Sequence, residues 1–443
     1  MTAQPFGLSA ASRAALLQRL AKRRGADAAA ADGDAGTGRD LSTLPGAADI
    51  GMVREAGAAL GLDNPFFRPH EGVAGARTVI GGREHLNFAS YNYLGLNGDP
   101  RVGAAAKAAI DRHGVSASAS RLASGERPVH AALETALAEF HGAEACLAFT
   151  SGHATNVTVI GHLMGPRDLV LHDALIHNSV AEGARLSGAR RTAFAHNDPD
   201  AAERELAAQR RRHGRALLVI EGHYSMDGDV PDLARFVAMA RRHDALLMVD
   251  EAHSVGVLGA TGRGVAEQCG VDPAGVDIWM GTLSKTLSAC GGYVAGKRPL
   301  VDLLRHSAPG FVYSVGLAPP LAAAALESLR VLRAEPWRVA RLQANAALFL
   351  RRVREAGFDA GQSAGLGIVP VVLGGSVAAA RMAAALFEAG VNVQPILFPV
   401  VPERSARLRF FLSAEHTADE IERTVAALAA ARDACLPRPR AAG

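Results

Sequence analysis

The 443-residue chain has few cysteines, few aromatic residues, almost no net charge and no long apolar run. Its four cysteines, Cys146, Cys269, Cys290 and Cys435, lie too far apart for a CxxC metal pair and are too few for a disulfide framework, so a reducing cytoplasm is expected. Aromatic residues make up 5% of the chain, which argues against a nucleic-acid binder built on stacking. The 47 basic and 44 acidic residues leave a net charge of +3, too little for a field that would hold a polyanion. No stretch approaches the ~20 apolar residues that cross a bilayer, so no transmembrane segment is expected. The opening MTAQPFG lacks the basic-then-apolar order of an export signal. With 49% hydrophobic and 21% charged residues, the bulk of the chain is expected to fold around a core.

Residues 1–48 differ in composition from the rest and are expected to form a flexible arm. Leu8–Arg24 reads as an amphipathic helix with Leu16, Leu17 and Leu20 on one face, stopped by Gly25 and followed by an Ala/Asp/Gly linker. A segment 49–105 leads into a large domain, 106–325, in which helices alternate with seven short apolar runs: EACLAFTS from Glu144, DLVLHD from Asp168, ARRTAFAH from Ala189, RALLVIEG from Arg215, ALLMVDEA from Ala245, DIWMGT from Asp277 and GGYVAG from Gly291. Continuous apolar runs of this length suit strands buried on both faces of a mostly parallel sheet, which defines an α/β domain. Asp198 and Pro199 mark a helix start, Gly214 closes that helix, and Arg210–Arg212 is expected to be its solvated end. From 326 to 436 the order becomes helix, strand, helix, strand, strand, helix, with strands LGIVPVVL, VNVQPILF and RLRFFLS. Thr417 and Glu420 are spaced as a capping box for the last helix of this smaller α+β domain, and 437–443 is a tail.

Three signals mislead. Asp250-Glu251-Ala252-His253 spells the DEAH box of helicases, but the nearest phosphate loop, Gly291–Arg298, ends in arginine where a magnesium-binding hydroxyl is required. Leu60–Asn64 is similar to the attachment loop of an acyl-carrier protein, yet Asn64 cannot carry a phosphopantetheine ester. His153, His162, His172, His177, His196 and His253 are irregularly spaced in separate segments, so no metal site is expected.

The chemistry concentrates elsewhere. Gly281–Thr286 follows a buried strand and combines Lys285 with the hydroxyls of Thr282, Ser284 and Thr286 in one turn. A lysine desolvated there is a nucleophile toward an aldehyde, and the hydroxyls suit a phosphate. Asp250 and His253 end another strand, and a parallel sheet can bring both strand ends to one crevice. Ser151, Gly152 and His153 lie at a strand-to-helix junction, where free N–H groups bind phosphate, and His177 starts a further helix after a strand. A lysine, a carboxylate, hydrogen-bond donors and a phosphate cup are together the requirements of pyridoxal phosphate.

Between Asn64 and Thr417 the chain resembles the α-oxoamine synthases, fold-type I pyridoxal-phosphate enzymes that include 8-amino-7-oxononanoate synthase, 2-amino-3-ketobutyrate ligase, 5-aminolevulinate synthase and serine palmitoyltransferase. The likeness rests on LNFASYNYLGL from Leu86, SASRLASGERPVHAALETALAEF from Ser118, FTSGHATN from Phe149, HDALIHNSVAEGARLSGA from His172 and HND from His196. EGHYSMDGDVPDL from Glu221, VDEAHSVGVLGATGRG from Val249, GTLSKTLSACGGYVAG from Gly281 and PERSARLRFFLSAEHT from Pro402 complete it. The resemblance implies that Lys285 bonds to the cofactor aldehyde, Asp250 pairs with the pyridine nitrogen, His253 and Ser225 bond the cofactor's polar edge and His177 stacks on its ring. It further implies that Thr282 and Ser284 hold the phosphate, that Arg409 binds the amino-acid carboxylate, and that Ser314 reaches the cofactor of a partner in a homodimer. The implied reaction is a decarboxylative Claisen condensation of serine, alanine or glycine with an acyl thioester, giving an α-amino ketone, carbon dioxide and a free thiol. Another fold-type I reaction, transamination or aldol cleavage, and a non-catalytic partner subunit are the alternatives; retention of Lys285, Asp250 and His177 speaks against the last.

The departures narrow the choice within the family. SYNYLG places Tyr91 where the biotin- and haem-pathway members carry asparagine, which is similar to serine palmitoyltransferase and to synthases of polyketide- and prodigiosin-type pathways. Ser314-Val315 stands for a Ser/Thr pair, Leu397 for an arginine found in some relatives, and His153 for an aromatic residue. With the linker-like arm, these favour an acyl chain on a carrier protein over free acyl-CoA.

Overall fold

A computed structural model describes residues 63–435 apart from Pro399, with isolated positions between 39 and 61. The expected helix Leu8–Arg24, most of the arm and the tail 437–443 lie outside the described residues. In chain order the strands are β1 (Arg77–Ile80), β2 (Arg83–Asn87), β3 (Ala145–Phe149), β4 (Leu169–Asp173), β5 (Arg190–Phe194), β6 (Ala216–Glu221), β7 (Leu246–Asp250), β8 (Ile278–Thr282), β9 (Gly292–Gly296), β10 (Ile368–Gly374), β11 (Val391–Asn392), β12 (Gln394–Ile396) and β13 (Ala406–Phe411).

All seven apolar runs form one sheet in the order β3-β9-β8-β7-β6-β4-β5. It is parallel from β8 through β5, and β9 runs antiparallel to both of its neighbours. Side chains alternate between the faces, as the two-residue repeat of a strand requires. One face carries Val170, Val219, Met248 and Met280 beneath helices Gly152–Leu163 and Asn178–Ser187. The other carries Leu171, Leu218, Ile220 and Val249 beneath helices Pro128–His141 and Leu233–Arg242. Each fully buried leucine contributes about 1.5–3 kcal/mol, and Leu218→Ala at the sheet centre should cost ~2–5 kcal/mol.

Two details correct the sequence reading of these elements. β5 is an edge strand in which only Phe194 is buried, since Arg190 and Arg191 keep that edge wet and unattractive for further pairing. Of the run Arg210–Arg212, Arg211 and Arg212 are exposed as expected, but Arg210, after the helix Pro199–Gln209, turns inward and donates to the carbonyls of His243 (2.9 Å) and His213 (3.1 Å). Asp198 does cap that helix, accepting from the Ala201 N–H at 2.9 Å.

In the C-terminal part, VNVQPILF is two strands rather than one. β11 pairs parallel with β2, whereas β12 pairs with β13, so the chain changes sheet at Val393. β2 itself belongs to a hairpin with β1 whose turn, Gly81-Gly82, has φ of +59° and +71°, a conformation that excludes most side chains. The second small sheet has the order β10-β13-β12. Helix Ala418–Cys435 starts with the expected capping box: Thr417 N–H donates to Glu420 Oε2 (2.8 Å) and Glu420 N–H to Thr417 Oγ1 (3.3 Å). Helix Pro319–Ala334 runs across residues 325 and 326 and packs on Pro100–His113 and Pro128–His141. Among the described residues no helix is long and apolar enough to cross a membrane.

Candidate active site

The carboxyl ends of the parallel strands converge on one crevice, the place where open α/β sheets bind ligands. Asp250 ends β7, Glu221 ends β6 directly opposite it, and Thr282 ends β8. Lys285 follows three residues after Thr282 in a turn closed by Ser288 N–H to the Lys285 carbonyl (3.0 Å). The lysine amine makes no hydrogen bond among the described residues and lies 5.5 Å from the centroid of the Tyr91 ring. Burial pushes its pKa down to about 8, with the Asp250 and Glu221 carboxylates opposing and Arg409 adding to the fall. A cleft of about 310 Å³ opens beside it, lined by Lys285, Ser284, Tyr91, Asn92 and His70 among others.

Asp250 is buried and held at both oxygens, by Asn156 Nδ2 on Oδ2 (2.8 Å) and by the Ala252 N–H on Oδ1 (2.9 Å). Asn156 also donates to Ser179 Oγ at 2.9 Å. His253 is buried, its Nδ1 2.8 Å from the Tyr93 hydroxyl and its ring parallel to Phe411 at 6.0 Å. Burial holds this imidazole well below its usual pKa, hence neutral; the Tyr93 hydroxyl engages Nδ1, which leaves Nε2 for a ligand. His177 caps helix Asn178–Ser187, its Nδ1 accepting from Ser179 N–H (3.3 Å), and its exposed ring meets His153 edge-on at 6.2 Å. Ser225 is buried on the loop after β6, and its N–H donates to Glu221 Oε2 at 3.0 Å.

Thr282 Oγ1 lies 2.7 Å from Ser284 Oγ and donates to the Gly291 carbonyl at 3.0 Å. These hydroxyls abut the start of helix Gly152–Leu163, where Ser151 accepts from the Ala154 N–H at 3.3 Å. A Cβ on Gly152 would stand 2.7 Å from Thr282 Oγ1, so only glycine allows the helix start and the strand end to approach this closely. From β13, Arg409 donates through Nη1 to the Ser225 carbonyl (2.9 Å) and lies over Phe411, leaving its buried Nε without a partner. Two residues away on the same face, Arg407 pairs with Asp227 at 2.6 Å, so the smaller sheet grips the loop that carries Ser225.

Thus Lys285, Asp250, His253, His177, Ser225, Thr282, Ser284, Gly152, Tyr91 and Arg409 share one region. Ser314 does not; it lies in a separate small crevice with Arg121, Thr150 and Phe311. The residues fit pyridoxal phosphate on the structure's own terms: an unpaired amine, a braced carboxylate, the Nε2 side of His253 and a glycine-lined anion cup. Sequence reasoning overlooked Asn156, Glu221 and Tyr93, although each stands inside a motif that it quoted.

A sheet of this order with a lysine and an aspartate at neighbouring strand ends defines a fold-type I pyridoxal-phosphate-dependent transferase. The aminotransferase class I and II family model matches residues 83–428. Curated relatives include 8-amino-7-oxononanoate synthase of Anaeromyxobacter sp., 44% identical over 395 residues that cover 89% of this chain and 98% of the relative. That of Geobacter sulfurreducens is 43% identical over 385 residues, 86% of this chain and 96% of the relative. Among solved structures, Sphingomonas wittichii serine palmitoyltransferase superposes with a TM-score of 0.84 at 33% identity, covering 89% of this chain and 99% of that one. The chain belongs to the aminotransferase class I and II family and, within it, to the α-oxoamine synthases.

Proposed function

We propose that the chain condenses a small L-amino acid, serine, alanine or glycine, with an acyl thioester, releasing carbon dioxide and the free thiol and forming an α-amino ketone. The observation that carries this reading is the unpaired Lys285 amine set against the braced Asp250 carboxylate, with Arg409 reaching in from the smaller sheet. Lys285 would hold the cofactor through its aldehyde, Thr282, Ser284 and the Gly152 helix start its phosphate, and Ser225 and His253 its phenolic oxygen. When bound, pyridoxal phosphate supplies an electron sink for the substrate α-carbon.

The protein's own groups do the rest. Asp250, braced by Asn156 and the Ala252 N–H, would present its carboxyl group to the pyridine nitrogen in a fixed orientation. Once the amino acid's own amine has displaced it from the aldehyde, the freed Lys285 amine, whose pKa burial depresses, would take the α-proton. Arg409 holds the amino-acid carboxylate until decarboxylation, using the planar fork whose Nε is free. His177 covers one side of the site, and Tyr91, Tyr93 and Phe411 wall off water.

The relatives by sequence are named as 8-amino-7-oxononanoate synthases, whereas the superposing structure is a serine palmitoyltransferase. Tyr91 and Leu397 support an acyl chain other than pimeloyl, carried on a protein. We further propose a homodimer in which Ser314 serves the partner's site. Purified protein given each amino acid and matched acyl-carrier and acyl-CoA thioesters, with products weighed by mass spectrometry, tests the reading. An α-amino ketone made faster from the carrier is expected; equal efficiency with CoA would remove the carrier, and no ketone from any pair would remove the reaction.

A further inference from the structure

Glu221 takes no part in the chemistry above, yet it is buried at the centre of the site. It ends β6 in register with Asp250, and its carboxylate bridges two main chains. Oε1 accepts from the His177 N–H at 2.8 Å and Oε2 from the Ser225 N–H at 3.0 Å. Those residues sit on different loops, one after β4 and one after β6. The same Ser225 carries, at its carbonyl, the hydrogen bond from Arg409. One carboxylate therefore fixes the spacing between the residue that would face the cofactor ring and the residue that would bond its phenolic oxygen.

A second set of contacts joins the same loops: His196 Nδ1 lies 2.9 Å from Asp173 and its Nε2 3.3 Å from Asp229. Asn197 donates to Asp229 at 2.6 Å. Beside this joint, the Glu221 bridge adds the setting of His177 and Ser225 relative to each other. Burial is the first influence on the Glu221 carboxyl and pushes it up to about 8, with neighbouring Asp250 adding to the rise. The two N–H donors and Lys285 oppose that rise.

We propose that Glu221 is a positioning residue that sets the cofactor site by clamping the main chains of His177 and Ser225. This rests on the pyridoxal-phosphate reading of the site. Glutamine at 221 keeps the shape but offers one carbonyl acceptor and turns an NH₂ donor toward the other N–H, so one anchor is lost. The readout is the dissociation constant of pyridoxal phosphate from apoprotein, followed by fluorescence, with folding checked by circular dichroism. Wild-type apoprotein that fails to bind pyridoxal phosphate would sink the functional reading, independently of the clamp.

Given wild-type binding, Glu221→Gln should weaken it about tenfold or more, the scale of a buried N–H left without its acceptor. In a His177→Ala/Ser225→Ala background the same change should cost less than about twofold, because the side chains through which the clamp acts are gone. Unchanged affinity in Glu221→Gln, or an equal loss in both backgrounds, overturns the proposal. Should Glu221→Gln fail to fold, Glu221→Asp keeps two carboxyl oxygens but is too short to reach both N–H groups. It is expected to show the same background dependence, and an equal loss in both backgrounds overturns the clamp there too.

Discussion

Stripped of its cofactor, the protein should display Lys285 as an unusually reactive amine. Burial, with Arg409 nearby, sets its pKa at about 8 against the pull of Asp250 and Glu221. At pH 7 such an amine is neutral in about one molecule in ten, whereas an ordinary lysine is neutral in about one in 2,500, an advantage of about two-hundredfold in nucleophile. The chain has four lysines, Lys22, Lys107, Lys285 and Lys297, so labelling by an amine reagent can be assigned peptide by peptide. Apoprotein is exposed to trinitrobenzenesulfonate across a pH series, with Nα-acetyl-lysine as reference, and the Lys285 peptide is quantified by mass spectrometry. Its labelling midpoint should fall near 8, and Asp250→Asn should move it lower still, because the carboxylate is what holds the ammonium form up. A Lys285 midpoint that coincides with the reference amine, or one that rises in Asp250→Asn, would refute this account of the site's electrostatics.

Gly152→Ala places a methyl 2.7 Å from Thr282 Oγ1 and 3.1 Å from Thr282 Cβ. Thr282 is buried at the strand end and has little room to retreat, so about 1–3 kcal/mol of overpacking strain is expected, read as a roughly 5- to 160-fold weaker affinity for pyridoxal phosphate in calorimetric titration of apoprotein; wild-type affinity would show that the cup lies elsewhere. Arg409→Lys removes the planar fork and should raise KM for the amino acid about tenfold while leaving cofactor affinity unchanged; an unaltered KM would place the carboxylate on another group. Burial disfavours the His196 imidazolium, yet Asp173 and Asp229 outweigh that and raise its pKa to about 10. Its stabilising contribution is therefore complete below the ordinary value of about 6.5 and is lost as pH rises through about 10. His196→Gln should flatten that loss in urea unfolding measured across the range, and an unchanged pH slope would contradict the pairing.

Much of the architecture could be read before any coordinates because the seven central runs are apolar and short, and runs of that kind have few other uses in an α/β chain. Strand order was not legible: nothing in RALLVIEG and ALLMVDEA says that Glu221 and Asp250 end up side by side, and that adjacency makes Glu221 part of the site. The break within VNVQPILF was invisible for a similar reason, since it is imposed by two different partners, β2 and β13. Lys285, Asp250 and His253 stood out because their chemistry is rare at strand ends. Asn156 and Tyr93 act only through another side chain, Asp250 and His253, and such roles appear once distances do. Arg210 was misread because a run of three arginines looks the same whether or not its first member turns back to carbonyls.

In the proposed condensation the amino-acid carboxylate leaves only when an acyl partner is present. Carboxyl-labelled serine, alanine and glycine incubated with holoenzyme, with and without acyl thioester, measure it through released carbon dioxide. The account predicts labelled carbon dioxide that requires the thioester and matches free thiol and α-amino ketone one for one, and none from Lys285→Ala. Carbon dioxide released without thioester, or amino-group transfer to a keto acid with the carboxylate retained, would contradict it.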